Sequence, residues 1–95
     1  MKNISVFIQE QPFYIKQMPK KRKLKQQVVS LVVQHLSIDH VLSEKELTNQ
    51  LQNMYHDPVE LRRYLVDFGF VKRTKDGAIY WIPQPVISPI TIRIY

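Results

Sequence analysis

Apolar residues follow a helical spacing through the middle of this chain and shorter, strand-like segments lie near both ends. The first helical set recurs at steps of three and four and comprises Leu24, Val28, Leu31, Val32 and Leu36. This spacing places its members on one face of an amphipathic helix, which we expect over residues 20–36. Two apolar segments precede it, ISVFI and FYIK. They predict either a small β-hairpin or an extended lead-in.

A capping box marks the start of a second helix. In the segment SEKE (43–46), the serine hydroxyl can accept a hydrogen bond from the Glu46 N–H, and the Glu46 carboxylate can reach back to the serine N–H. Leu47, Leu51 and Met54 then form an apolar stripe. We expect this helix to end near residue 54.

A third helix is predicted directly after the second. Asp57 is its N-cap, Pro58 takes the first helical position, and Glu60 completes a second capping box. Its inward face carries Leu61, Tyr64, Leu65 and Phe68. Gly69 should end the helix in the left-handed conformation, with Phe70 folding back on Leu65 in a Schellman motif.

A β-hairpin is predicted next, around Asp76-Gly77. This residue pair favours a two-residue type I′ turn, in which both positions have positive φ. Counting outward from the turn pairs Arg73 with Tyr80 and Lys72 with Trp81. We expect Trp81 and Phe70 to lie in the core.

Three helices followed by a hairpin predict a mostly helical α+β domain of the winged helix-turn-helix type. The division we expect is an extended lead-in over residues 1–18, the winged-helix domain over 19–82, and a proline-rich tail over 83–95. The tail ends in the alternating segment ITIRIY, which could form an edge strand or pair with a partner chain.

Composition points to a small cytoplasmic protein with an affinity for polyanions. The 95 residues suffice for one domain, and they include no cysteine, no signal peptide pattern and no apolar run that could span a bilayer. The chain contains fourteen Lys and Arg and eight Asp and Glu, which gives a net charge of +6. Such a charge attracts nucleic acid, although it also serves solubility alone.

The sequence shows no arrangement typical of catalysis or metal binding. His35, His40 and His56 lack a metal-ligand spacing. Asp57 and Glu60 are explained as helix caps rather than as a pair of catalytic carboxylates. We therefore expect no enzyme activity, no metal and no cofactor.

Ten basic residues are the predicted nucleic-acid contacts. They are Lys20, Lys21, Arg22, Lys23 and Lys25 at the first helix, Arg62 and Arg63 on the third, and Lys72, Arg73 and Lys75 on the hairpin. Arginine on an outward helix face can read guanine edges or hold phosphates. Structural interpretations stay open, because the first group could be a solvated helix end or a nuclear import signal, and Arg63 could pair with Asp67.

The segments PKKR (19–22), LSEKELTNQL (42–51) and HDPVELRRYLVDFGFVKRTKDGAIYW (56–81) together resemble the bacterial domain-of-unknown-function family 2087. The resemblance covers roughly residues 7–81. It implies a winged-helix-like domain, found alone or fused to helix-turn-helix regulators, with a role in transcription regulation.

The leading hypothesis is therefore a DNA-binding protein of transcription regulation, with double-stranded DNA as its partner. One alternative is a protein-interaction or homodimerisation module without DNA contact, whose surface would comprise Val59, Val66, Ile92 and Ile94. Another is RNA binding through the same basic residues, which would require an exposed Tyr80 or Trp81 for base stacking.

Overall fold

The computed structural model describes residues 4–38 and 41–83 and has an α+β architecture. A short 3₁₀ turn at Ile4–Phe7 leads into the first hairpin. The regular elements in chain order are β1 (Ile8–Glu10), β2 (Phe13–Ile15), α1 (Arg22–Gln34), β3 (Leu42–Ser43), α2 (Glu44–Leu51), α3 (Pro58–Asp67), β4 (Lys72–Arg73) and β5 (Ile79–Trp81). A small hairpin therefore forms, as one of the two alternatives predicted, but of the first segment, ISVFI, only Ile8 belongs to its strand, because Ile4–Phe7 is the 3₁₀ turn.

Two antiparallel sheets flank the helices. One is the β1-β2 hairpin, and the other has three strands in the order β3-β5-β4. The predicted hairpin register is confirmed, with Arg73 opposite Tyr80 and Lys72 opposite Trp81. Strand β3 was not predicted. It pairs Leu42 with Tyr80, and its two residues are too few to produce a recognisable alternation.

The capping box of α2 forms as predicted. The Glu46 N–H donates to the Ser43 hydroxyl at 3.1 Å, and the Ser43 N–H donates to the Glu46 carboxylate at 2.9 Å. The prediction that α2 reaches residue 54 was wrong, because the helix ends at Leu51 and continues as a tight turn. Met54 nevertheless stays in the core.

Only half of the second capping box is present at α3. The Asp57 carboxylate accepts from the Glu60 N–H at 3.1 Å, as expected. The Glu60 carboxylate does not return to the Asp57 backbone, because it accepts hydrogen bonds from Tyr55 and Tyr64 instead.

The Schellman motif at the end of α3 is confirmed. Gly69 has φ +81°, the Phe70 N–H donates to the Leu65 carbonyl at 2.9 Å, and the Gly69 N–H donates to Val66 at 3.0 Å. These bonds fix the direction in which the chain leaves α3 toward the hairpin.

The hairpin turn differs from the predicted type I′ turn. Gly77 has φ +74°, but Asp76 does not have the positive φ that this turn requires. The Gly77 N–H donates to the Thr74 carbonyl, and the Thr74 hydroxyl accepts from the N–H groups of Ala78 and Ile79. Thr74 thus stabilises a wider turn while the strand register stays as predicted.

The hydrophobic core lies between the three helices and both hairpins. Its fully buried side chains include Ile15, Val28, Val29, Val32, Leu47, Leu51, Leu61, Leu65 and Val71. The Ile15 N–H donates to the Met54 carbonyl at 2.7 Å, which joins the first hairpin to the turn that follows α2. Val29 was missing from the predicted stripe of α1. On the second hairpin Tyr80 is buried and Trp81 only half-buried, so placing Trp81 in the core was wrong.

Replacing Gly69 with alanine should lower the free energy of unfolding by about 1 kcal/mol, because an L-residue with a β-carbon is strained at positive φ. An added Cβ would meet no atom within 4 Å, so the loss would come from backbone strain alone. Gly69→Asn should cost less, since asparagine tolerates this conformation. Urea denaturation of both variants tests this, and equal losses would contradict it.

Candidate nucleic-acid interface

The outer face of α3 is available to a partner. Leu61 and Leu65 are fully buried, and Val59 and Arg63 lie on the opposite side of the helix. Val59 is 47% exposed and Arg63 is exposed, while Val66 is half-buried. This arrangement agrees with the outward positions expected for Val59 and Arg63. Within the described residues Arg63 makes no ion pair, so the suggested pair with Asp67 does not form.

Arg62 is committed to contacts inside the protein. Its guanidinium forms an ion pair with Glu44 at 2.9 Å and donates to the Thr48 hydroxyl at 2.7 Å. It also lies 5.8 Å from the centroid of the Tyr80 ring, and only 17% of its side chain is exposed. Arg62 therefore joins α3 to α2 and to β5, a role that the sequence analysis missed. The sequence signal for this role was Glu44, an acidic residue in the first turn of α2 that could pair with an arginine.

The basic residues of the hairpin differ in whether they make hydrogen bonds within the protein. Lys72 and Lys75 are exposed. Arg73 folds over the turn, where its Nη1 donates to the carbonyls of Thr74 at 3.2 Å and Lys75 at 3.4 Å. These exposed bonds keep the positive charge of Arg73 at the tip of the hairpin.

A cleft of about 360 Å³ separates the outer face of α3 from the hairpin. Its lining includes Val59, Val66 and Tyr80. It also carries charges of both signs, namely those of Arg62, Arg63, Arg73, Glu44, Asp67 and Asp76. The pairing of Arg62 with Glu44 leaves Arg63 and Arg73 as the guanidiniums outside any ion pair among these described residues.

The basic start of α1 lies on the other flank of α3. The Lys25 ammonium is 3.4 Å from the Tyr64 hydroxyl and 4.6 Å from the centroid of its ring. The Arg22 guanidinium lies 5.0 Å from the Phe68 ring centroid. These cation–π contacts place the cluster against α3, while Lys20, Lys21 and Lys23 are exposed.

Most acidic groups close to α3 have structural partners. The Glu60 carboxylate accepts from the hydroxyls of Tyr55 at 3.2 Å and Tyr64 at 3.3 Å. The Asp76 carboxylate accepts from the Thr74 hydroxyl and the Ala78 N–H, and these bonds lower the pKa of Asp76. Burial, followed by the nearby charge of Glu60, raises the pKa of Tyr55 to about 12.

The structure does not bring every predicted residue to this region. Ile92 and Ile94 of the alternative interaction surface lie outside the described residues. Tyr80 is 4% exposed, which removes it as a base-stacking platform. Across residues 4–38 and 41–83, no three His, Cys, Asp or Glu side chains gather as metal ligands. None of the helices in that part of the chain has the length and apolar character needed to cross a membrane.

Arg62→Ala should lower the free energy of unfolding by about 1–2 kcal/mol, because it removes a partly buried ion pair and a charged hydrogen bond. Arg63→Ala removes the same side chain from an exposed position and should change stability by less than about 0.5 kcal/mol. Urea denaturation of the two variants compares them directly. Equal losses would contradict the structural role of Arg62.

The raised pKa of Tyr55 predicts a loss of stability in alkali. Below pH about 10 the Tyr55 phenol is neutral in both the folded and the unfolded state, so its contribution to the free energy of unfolding is complete. As pH rises from about 10 to about 12, the unfolded chain loses the proton first and stability falls. In Tyr55→Phe this alkaline loss of stability should disappear. Tyr14→Phe should retain it, because Tyr14 has no contact with Tyr55 or Glu60 among the described hydrogen bonds. Chemical denaturation across this pH range tests the difference, and identical slopes in all three proteins would contradict it.

Comparison with known proteins identifies the family. A family model described as "Uncharacterized protein conserved in bacteria (DUF2087)" matches residues 14–82, which is most of the chain. No curated protein and no solved structure matched the sequence. The matched range contains the three helices, the whole β3-β5-β4 sheet and the last two residues of β2. The chain therefore belongs to the DUF2087 family of bacterial proteins.

Proposed function

We propose that this protein is a DNA-binding winged-helix domain that acts in transcription regulation. The order of its elements supports the proposal, since α1, β3, α2 and α3 are followed by the β4-β5 hairpin, with β5 at the centre of the sheet. In this interpretation α3 is the recognition helix and the hairpin is the wing. A recognition helix enters the major groove and presents its outer face to the base edges.

The observation that carries the proposal is the distribution of positive charge around α3. Arg63 lies on the outer face, and Arg73 of the hairpin lines the same cleft on one flank, with exposed Lys72 and Lys75 near it in the chain. The α1 cluster lies on the other flank, held there by the contacts of Lys25 with Tyr64 and of Arg22 with Phe68. A helix in the major groove lies between two phosphate backbones, so basic groups on both flanks match the charge of the duplex.

The acidic groups around α3 weaken this match less than their number suggests. Glu44 is paired with Arg62, and Glu60 accepts from two tyrosines. Asp76 is bonded into the hairpin turn. Asp67 is the exception.

Exposed Val59 supports a second candidate, a protein-interaction surface on the same outer face. Apolar exposure on a helix often marks a partner interface. It ranks second because the basic groups on both flanks fit a polyanion.

Fluorescence anisotropy with random-sequence duplex DNA tests the proposal. Neutralising about five phosphates would weaken binding by roughly 500-fold between about 50 and 200 mM salt. Arg63→Ala should weaken it further by about tenfold. Arg63 suits this test better than Arg62, whose loss would also disturb the fold.

The matched control is Lys16→Ala, which removes one exposed positive charge outside both basic groups. It should change the affinity by less than about threefold, a small loss of long-range attraction. If the parent protein fails to bind duplex DNA even at low salt, the DNA-binding proposal is wrong. The exposed face of α3 would then be tested for self-association by sedimentation.

A further inference from the structure

Asp67 is the acidic residue of this region without a structural role. It is the last residue of α3 and is exposed. Every other carboxylate on α2, α3 and the β4-β5 hairpin makes a hydrogen bond or an ion pair, as does the N-cap Asp57, whereas Asp67 makes neither with any described residue. A negative charge at a helix C-terminus is also unfavourable, because the backbone carbonyls there carry partial negative charge.

The neighbour that could neutralise Asp67 does not do so. Arg63 precedes it by four residues, with the cation on the N-terminal side of the pair, which is the weaker order for such a pair on a helix. Both side chains line the cleft on the outer face of α3, and neither is in an ion pair within the described part of the chain. The face therefore presents one free guanidinium and one free carboxylate.

A free carboxylate on a DNA-facing helix repels phosphates but has a suitable partner among the bases. In the major groove cytosine presents its N4 amino group as a donor, which a carboxylate accepts. Adenine also presents an amino group, but its N7 acceptor lies beside that group and repels a carboxylate. Guanine presents two acceptors, O6 and N7, which match the paired donors of a guanidinium.

From this chemistry we infer that α3 selects DNA sites with G·C pairs, Arg63 donating to guanine and Asp67 accepting from the amino group of cytosine. Four residues of helix span about 6 Å, and base pairs are stacked about 3.4 Å apart. The two contacts thus fall on base pairs about two steps apart. The inference rests on the proposed function, and it makes Asp67 a specificity-determining residue.

Selection from a pool of duplexes with a randomised centre, followed by sequencing, tests this assignment. The parent protein should enrich sites with guanine at one position and cytosine at another nearby, each preferred by about tenfold or more. Asp67→Asn should shift the cytosine position toward adenine, because an amide side chain pairs with the N6 and N7 atoms of adenine. Asp67→Ala should lose the preference at that position, and Arg63→Ala should lose the guanine preference.

Glu10→Gln is the matched control, since it removes an exposed carboxylate from β1, outside the α3 face. It should leave the base preference at every position unchanged. If the parent binds duplex DNA but Asp67→Asn and Asp67→Ala keep its preferences, the inference is wrong while DNA binding stands. If the parent enriches no sequence because it binds no duplex, both the inference and the proposed function are wrong. Circular dichroism of each variant checks that it remains folded.

Discussion

The position of α3 is set by the apolar core and, in addition, by the guanidinium of Arg62. Leu61 and Leu65 bury one side of the helix, but apolar packing alone tolerates small rotations and shifts. Arg62 adds directional contacts with Glu44, Thr48 and Tyr80. These bonds relate α3 to α2 and to the central strand of the sheet at the same time. Arg63 therefore keeps its orientation toward the cleft, because Arg62, the residue before it, is bound to both α2 and β5.

The positive charges divide between groups bound inside the protein and groups left exposed. Arg22, Lys25 and Arg62 lie against aromatic rings or polar partners. Their charged groups therefore contribute to packing as well as to the positive electrostatic potential of the surface. Arg63 has no such partner in the described structure, although it follows Arg62 directly in the sequence. Because consecutive helix residues are rotated by about 100°, Arg62 points toward its partners in α2 and β5 while Arg63 points outward. A double substitution of both arginines would therefore mix a loss of stability with a loss of contact.

The sequence allowed the three helices, the starts of α2 and α3 and the end of α3 to be predicted, because the signals are local. Ser43 with Glu46, and Asp57 with Pro58, act over three residues or fewer, and Gly69 acts through its own φ. The errors came from competing side-chain partners, five and four residues from Glu60, and from a strand pairing between distant parts of the chain. Glu60 left the capping box for the hydroxyls of Tyr55 and Tyr64, and β3 formed because the hairpin lies beside it. At the candidate site, the exposure of Arg63 followed from helical periodicity, whereas the binding of Arg62 to α2 depends on tertiary structure.

Ser43 belongs to two elements at once, and this links their stabilities. Its backbone is the end of β3, opposite Ile79 of the hairpin, while its hydroxyl caps α2. Separation of β3 from β5 would displace the residue whose hydroxyl accepts from the Glu46 N–H at the start of α2. Loss of the β3-β5 pairing is therefore expected to weaken the start of α2 as well. Through this one residue, the proposed wing of the domain is joined directly to the N-terminal cap of α2.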